Sequence, residues 1–391
     1  MMRDVLPRLR VGLAGYGYWG PNLLRALRRS SRGQLVAVCD CDPARLQQLG
    51  RDCPDLARFE AYGEMIAAVD AVVLATPMAT HAPLALEALR RGRHVLVEKP
   101  LCCNVSEARA LLDCAQRCRR VLAVGHTYLY SPAVQFIGQE LRSGRMGRLC
   151  YIRSGRLNPA GYRSDANVLW DLAVHDVAIL HFWLRAAPVE MQVMARGRTA
   201  LDAPEVALIH LCFPDNILVQ LEVSRLAPCK QRSMELVGSR KRLLFDDLRQ
   251  FDKLRLFPAD PPPCPDLDAN ALHRGALPGE IVIPHLAGVE PLQAEVDDFL
   301  GAIQSGTTPL SDGALGLEVI RTLERLQRAC NGALGRTARR HVQSVCPTGW
   351  LQRGITIPIN SSPCFSAAFS ISEGFVAPPV PVPLSPGGES E

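Results

Sequence analysis

The chain has 391 residues, of which 48% are hydrophobic and 21% charged, and its net charge is +5. This is the composition of a soluble globular protein long enough for two or three cored domains. Arginine clusters at 25–29, 90–93 and 119–120 lie near predicted helix ends without interleaved aromatic rings, so no nucleic-acid partner is expected, and no apolar run approaches the ~18 residues of a membrane span.

Residues 9–14 run into the glycine loop Gly15-Tyr16-Gly17-Tyr18-Trp19-Gly20. Pro21 opens a helix with apolar Leu23, Leu24 and Leu27, since its missing N–H is not needed in a first turn. A second apolar strand, 35–39, closes at Asp40. Strand, glycine loop, helix, strand and acid follow in order, with the acid about 20 residues past the last glycine. That pattern brings a pyrophosphate against backbone N–H groups and an adenosine ribose against a carboxylate. Asp40 would repel a 2′-phosphate, so NAD is expected over NADP. Arg45 softens that preference unless the next helix carries it away.

Residues 70–75 form a further strand leaving the sheet at Thr76-Pro77, and His81 opens the helix behind it. Val95-Leu96-Val97 is an apolar strand that ends abruptly in Glu98-Lys99-Pro100. Ligands of open α/β sheets bind beyond the carboxyl ends of the strands, which makes Lys99 the first candidate for chemistry. A surface ion pair before a proline turn accounts for the same residues. A helix over 106–119 and a strand over 121–124, ending at Gly125-His126, complete one doubly wound domain with a mostly parallel sheet.

After about residue 147 the pattern changes. Segments 148–156, 189–196, 206–213, 218–224, 233–237 and 242–245 read as strands joined by short turns, interrupted by one helix over 169–184. This is a second domain of α+β type with a large, mainly antiparallel open sheet. Amphipathic helices follow at 290–305 and 316–330. From 339 onward Pro, Ser and Gly accumulate, and a disordered tail is expected, giving domains at 1–127, 128–338 and 339–391. The 14 cysteines include the pairs Cys39/Cys41, Cys102/Cys103 and Cys114/Cys118 but no C-x-x-C. They fit neither a zinc site nor a disulfide framework and read as reduced thiols of a cytoplasmic protein, with no metal expected. No secretory signal is expected, because Arg3, Arg8 and Arg10 precede only a short apolar run.

The glycine loop, Asp40, Thr76-Pro77 with His81, Glu98-Lys99-Pro100 and Asp171-Leu172-Ala173-Val174-His175-Asp176 together carry a resemblance. Over about residues 9–333 the chain resembles the glucose–fructose oxidoreductase/inositol dehydrogenase/rhizopine catabolism (Gfo/Idh/MocA) family of nicotinamide-dependent sugar dehydrogenases. The resemblance implies a Rossmann domain before the sheet domain. It implies NAD held by Gly15, Tyr16, Gly17, Tyr18, Trp19, Gly20, Asp40, Thr76, Pro77, His81, Glu98 and Lys99. Lys99 and His175, with Asp171, are the implied carriers of the proton. Gly125-His126-Thr127-Tyr128, Arg156-Leu157-Asn158, the run 163–171 and Glu290-Pro291-Leu292 are similar to the UDP-N-acetylglucosaminuronate 3-dehydrogenase group. On that likeness His126, Arg156, Asn158, Arg163, Asn167 and Trp170 are expected to meet the substrate. Departures at 158–161 and at Val174, where proline is usual, bear on the substrate more than on the reaction.

The residues themselves leave several roles open. On a helix Asp171 and His175 are i and i+4 and share a face, so Asp171 either orients His175 or holds a substrate hydroxyl. A desolvated lysine suits acid–base work, whereas a lone helical histidine is commonly structural. His126 is a site wall or a strand-end residue, and His94, His181 and His210 are core or surface. Arg153, Arg156 and Arg163 suit a diphosphate and a uronate carboxylate, or form salt bridges on a sheet face. The expected activity is NAD-dependent oxidation of a secondary hydroxyl, at C3 of UDP-N-acetylglucosaminuronate. The alternatives are another sugar or polyol and a nicotinamide-binding regulator without turnover. A homodimer or homotetramer packed through free sheet faces is expected.

Overall fold

The computed structural model describes residues 8–159, 167–197, 203–258 and 280–345, the stretch 332–345 in backbone only. The first sheet has six parallel strands, β1 (Leu9–Ala14), β2 (Gly33–Cys39), β3 (Ala57–Phe59), β4 (Ala71–Leu74), β5 (His94–Glu98) and β6 (Leu122–Gly125), in the order β3-β2-β1-β4-β5-β6. All four residues of β4 are fully buried, as expected of strands covered on both faces. The cover is α1 (Gly20–Arg29), α2 (Pro43–Asp52), α3 (Tyr62–Ala67), α4 (Met78–Arg90) and α5 (Val105–Cys118). Side-chain caps set two of their starts: Asp42 accepts the Ala44 N–H, and Asn104 accepts the Glu107 N–H while Glu107 reaches back to the Cys103 N–H. β3 goes unpredicted from pattern, because Ala57-Arg58-Phe59 is too short to show a period.

Strand order reverses between β1 and β4, so the crevice for a ligand opens beyond their carboxyl ends. Gly15, Asp40, Thr76, Lys99 and His126 all lie along that edge.

A 3₁₀ turn (Thr127–Tyr130) and α6 (Pro132–Arg142) lead to the second sheet, β7 (Leu149–Leu157), β8 (Glu190–Arg196), β9 (Val206–Phe213), β10 (Ile217–Ser224), β11 (Gln231–Gly238), β12 (Lys241–Asp246) and β13 (Leu254–Pro258). Its order is β13-β12-β11-β7-β10-β9-β8, antiparallel except for the β7–β10 pair. Both expected sheets are therefore present, with β13 added at the edge of the second. The single helix expected over 169–184 is two elements, a π-helical turn (Leu169–Ala173) and α7 (Val174–Leu184). Asn167 caps that turn: its Oδ1 accepts the Leu169 and Trp170 N–H groups at 2.9 and 3.4 Å. Wide turns of this kind recur at functional sites. α7 is apolar almost all round, and most of its residues are buried.

The chain then returns to the first domain. α8 (Pro291–Ser305) sets Leu292, Val296, Phe299 and Leu300 into the same core as Leu23 and Leu27 of α1. α9 (Gly313–Val345) places Ile320, Leu323 and Leu326 in the main core. It is helical to Val345, so the boundary expected after 338 falls within a helix; the remainder of the expected tail lies outside the described residues. The chain as far as Val342 forms one compact unit. No helix among the described residues is long and apolar enough to cross a membrane.

Candidate active site

At the glycine loop two close approaches exclude side chains. Gly15 has φ +93°, and a Cβ there would lie 2.5 Å from the Ala75 carbonyl oxygen; a Cβ on Gly20 would lie 2.8 Å from the Gly15 oxygen. The loop is thereby folded tightly over the end of β4 and delivers its backbone to the start of α1. Asp40 is buried at the end of β2. Its Oδ2 accepts the Tyr16 N–H at 2.6 Å and its Oδ1 the Asp42 N–H at 2.9 Å. Arg45 stays beside it, with Nη1 3.4 Å from Asp40 Oδ2 and Nε 3.2 Å from Asp42 Oδ2. A glycine cradle with a carboxylate at the next strand end fits the pyrophosphate and adenosine ribose of NAD.

Farther along the edge, β5 ends in Glu98 and Lys99. Glu98 accepts the Trp19 indole N–H at 2.6 Å and the Lys99 backbone N–H at 3.1 Å. Burial pushes the Glu98 carboxyl up to about 7, against the pull of Lys99 and Trp19. The Lys99 ammonium donates across the domains to Asp171 in the π-helical turn, at 3.2 Å to Oδ1 and 3.1 Å to the main-chain oxygen. Arg225, immediately after β10, donates to Asp171 Oδ2 at 2.8 Å. Burial raises the Asp171 carboxyl, but Lys99 and Arg225 more than offset it and hold it below the ordinary carboxylate range.

Two histidines line this crevice. His175 lies one turn on from Asp171, its ring edge-on to Tyr128 with centroids 4.9 Å apart. Burial, then the charges of Lys99 and Arg156, put its pKa well below the ordinary value. His126 is buried, and burial with Lys99 and His181 nearby pushes it down to about 3. Neither ring nitrogen of His126 has a hydrogen-bond partner among the described residues, nor does His175 Nδ1. Buried polar atoms of this kind call for a partner, either an ordered water or a bound molecule.

Residues 9–126 match the model of the oxidoreductase family with an NAD-binding Rossmann fold, GFO/IDH/MocA, and residues 134–244 match the GFO/IDH/MocA C-terminal domain. The chain belongs to the GFO/IDH/MocA oxidoreductase family. It is 29% identical to the UDP-N-acetylglucosamine 3-dehydrogenase of Acidithiobacillus ferrooxidans over 84% of this chain and 99% of the relative. A crystal structure of that enzyme superposes with a TM-score of 0.72 at 26% identity, covering 84% of this chain and all of that one. An inositol 2-dehydrogenase of Saccharopolyspora erythraea is 30% identical over 55% of this chain and 66% of its own length. As a GFO/IDH/MocA protein the chain is an NAD-dependent dehydrogenase acting on CH–OH groups.

The crevice gathers most of the residues named from sequence, but not all in the expected role. Gly15, Tyr16, Gly17, Tyr18, Trp19, Gly20, Asp40, Thr76, Pro77, Glu98 and Lys99 lie along the crevice edge, with the Tyr18 side chain 95% exposed. His81 is corrected: it is buried, with Nδ1 2.8 Å from the Pro100 oxygen and Nε2 2.8 Å from the Thr76 oxygen. One ring N–H donates to one of these two carbonyl oxygens and the other nitrogen faces the second, so the ring sits between the end of β4 and the turn after β5 rather than toward the crevice.

Arg156 is likewise corrected. Its guanidinium is buried and spent on Asp176, Nε to Oδ2 at 2.7 Å and Nη2 to Oδ1 at 3.0 Å, while its face lies 4.4 Å from the Tyr128 ring centroid. Asn167 and Trp170 both donate to Gln327 Oε1, at 2.8 and 3.2 Å, and so brace the π-helical turn rather than face a ligand. Asn158 ends β7, its N–H held by the Ser224 oxygen at 2.8 Å. Arg163 lies outside the described residues. Arg225 goes unpredicted, although it obeys the rule that singles out Lys99: a charge directly after a buried strand. Arg232, 5.8 Å from the Tyr128 centroid, and the buried Glu295 of α8 carry no sequence signal of that kind.

Proposed function

We propose that this dehydrogenase oxidises the C3 hydroxyl of a UDP-linked N-acetylglucosamine-type sugar. The observation that carries the reading is the Lys99–Asp171 contact, which joins the end of β5 to the substrate domain beside His175. NAD, when bound, supplies the hydride acceptor. The glycine loop, Asp40 and the Thr76-Pro77 turn would hold it, with Trp19 pinned against Glu98 at the nicotinamide end. Lys99, as the neutral amine, takes the hydroxyl proton as hydride leaves carbon, and Asp171 fixes where the resulting ammonium sits. His175, kept neutral by burial, hydrogen-bonds the reacting oxygen from the helix turn after Asp171.

Likeness to the Acidithiobacillus enzyme supports a UDP-N-acetylglucosamine scaffold. The uronate form expected from sequence loses Arg156 as a carboxylate ligand. It keeps one supporting observation, the Arg232 guanidinium near Tyr128, held by Asp247 only at 3.8 Å. In this reading the enzyme works in the cytoplasm on a precursor of a surface polysaccharide. Two copies pair through the open sheet face, where Met194 is 67% and Leu218 52% exposed.

The test is NAD reduction with UDP-N-acetylglucosamine, its uronate and myo-inositol in parallel. Turnover on either nucleotide sugar and none on inositol supports the proposal. Turnover on inositol alone replaces it with a polyol dehydrogenase. NAD binding without turnover on any of the three favours a regulator.

A further inference from the structure

Arg225 is a buried cation that touches Asp171 directly and that the chemistry above does not use. Its side chain is 2% exposed. Its backbone N–H is fixed by the Glu205 oxygen at 2.8 Å, so the guanidinium is presented from the rigid end of β10. Asp171 receives the two cations on separate oxygens: Oδ2 takes Arg225 at 2.8 Å and Oδ1 takes Lys99 at 3.2 Å. A guanidinium cannot be deprotonated in a protein, so Arg225 holds its share of the carboxylate through the whole cycle. Lys99 can lose its proton and Arg225 cannot.

We infer that Arg225 is a positioning residue that locks Asp171 with Oδ1 toward Lys99 and, by sharing the carboxylate, loosens the hold on the Lys99 proton. Like charge on one carboxylate works against the second cation, so what Asp171 gives to Arg225 is withdrawn from Lys99. Among the described residues the other groups facing Lys99 are Glu98 on its own strand, His126 after β6 and His175 on α7. Both histidines are held neutral at neutral pH by burial, so Asp171, Glu98 and Arg225 set the field. The inference rests on Lys99 as the proton acceptor. When the alcohol is oxidised, hydride and its electron pair leave carbon for NAD, and the hydroxyl proton goes to the Lys99 amine.

The experiment compares Arg225→Gln and Arg225→Lys with the wild type in the full chain. Lys99 is one of four lysines, with Lys230, Lys241 and Lys253, so competitive acetylation by acetic anhydride across pH, read by peptide mass spectrometry, reports its titration without any substrate. In Arg225→Gln the Lys99 labelling midpoint rises, while those of the other three stay in place. Arg225→Lys keeps the charge and leaves the Lys99 midpoint near that of the wild type. With UDP-N-acetylglucosamine and NAD, the rising limb of the single-turnover rate moves by the same amount, and the lost rate returns at high pH. A glutamine variant with an unmoved labelling midpoint overturns the inference. So does a rate that falls equally at every pH, which is what a merely structural Arg225 predicts. If Arg225→Gln does not fold, a lysine variant that folds and shifts the midpoint as a charge loss would overturn it as well. Should Lys99→Ala keep the wild-type pH–rate profile, the proton-acceptor reading itself has failed, an outcome separate from all of these.

Discussion

Arg156→Leu separates a structural arginine from a substrate ligand. The substitution leaves Asp176, 1% exposed, with the Ser154 hydroxyl at 3.0 Å as its remaining contact from this cluster. Stranding one member of a buried pair costs about 3–5 kcal/mol, and the lost cation–π contact with Tyr128 adds up to about 2 kcal/mol. Urea unfolding of the variant is therefore expected to show a loss of about 3–5 kcal/mol or somewhat more. Because Tyr128 supports the His175 ring at 4.9 Å, turnover falls as well. Removing both charges in Arg156→Leu/Asp176→Leu recovers a large part of the stability, since nothing is then left uncompensated. Unchanged stability in Arg156→Leu together with a raised KM would refute the reasoning and return Arg156 to the substrate.

The cofactor preference follows from Asp40: calorimetric titration is expected to give tighter binding of NAD than NADP, and Asp40→Ala to weaken NAD and narrow the gap, with Arg45 left to attract a 2′-phosphate. Equal wild-type affinities would remove the argument. Glu295 is buried, and burial with the nearby Glu98 charge raises its carboxyl well above the ordinary range. The folded state keeps a proton that the unfolded chain has shed, so this group lowers stability as pH rises past the ordinary carboxylate range. Glu295→Gln is expected to gain in Tm over the wild type, increasingly so from about pH 5 to about pH 8; a pH-independent difference contradicts this. Leu218→Glu on the open sheet face is expected to convert an oligomer to monomer in light scattering, and a monomeric wild type would count against the pairing.

Sequence pattern located the fold because its signals are local. Apolar runs ending at Gly15, Asp40, Thr76 and Lys99 announce parallel strands, and alternation after residue 147 announces the second sheet. Role assignment is a different matter, since it depends on which partner reaches a side chain first. Arg156 lies in the right stretch, but Asp176 takes it. His81 lies beside the cofactor loops, but two backbone carbonyls occupy it. The helix read over 169–184 hides a π-helical turn set by Asn167 and Gln327, which lie far apart in sequence, and that turn decides where Asp171 points. α8 returns to α1 through contacts that no window of residues contains.

Single-turnover hydride transfer in Lys99→Ala and His175→Ala, with NAD affinity titrated separately, tests the central claim most directly. Each substitution is expected to slow transfer by about 10²–10⁴-fold, and the double substitution by less than the product of the two. NAD affinity should stay near that of the wild type, because the glycine loop and Asp40 hold the phosphates and ribose. Near-normal transfer in both single variants would contradict the account and make a nicotinamide-binding regulator the better reading.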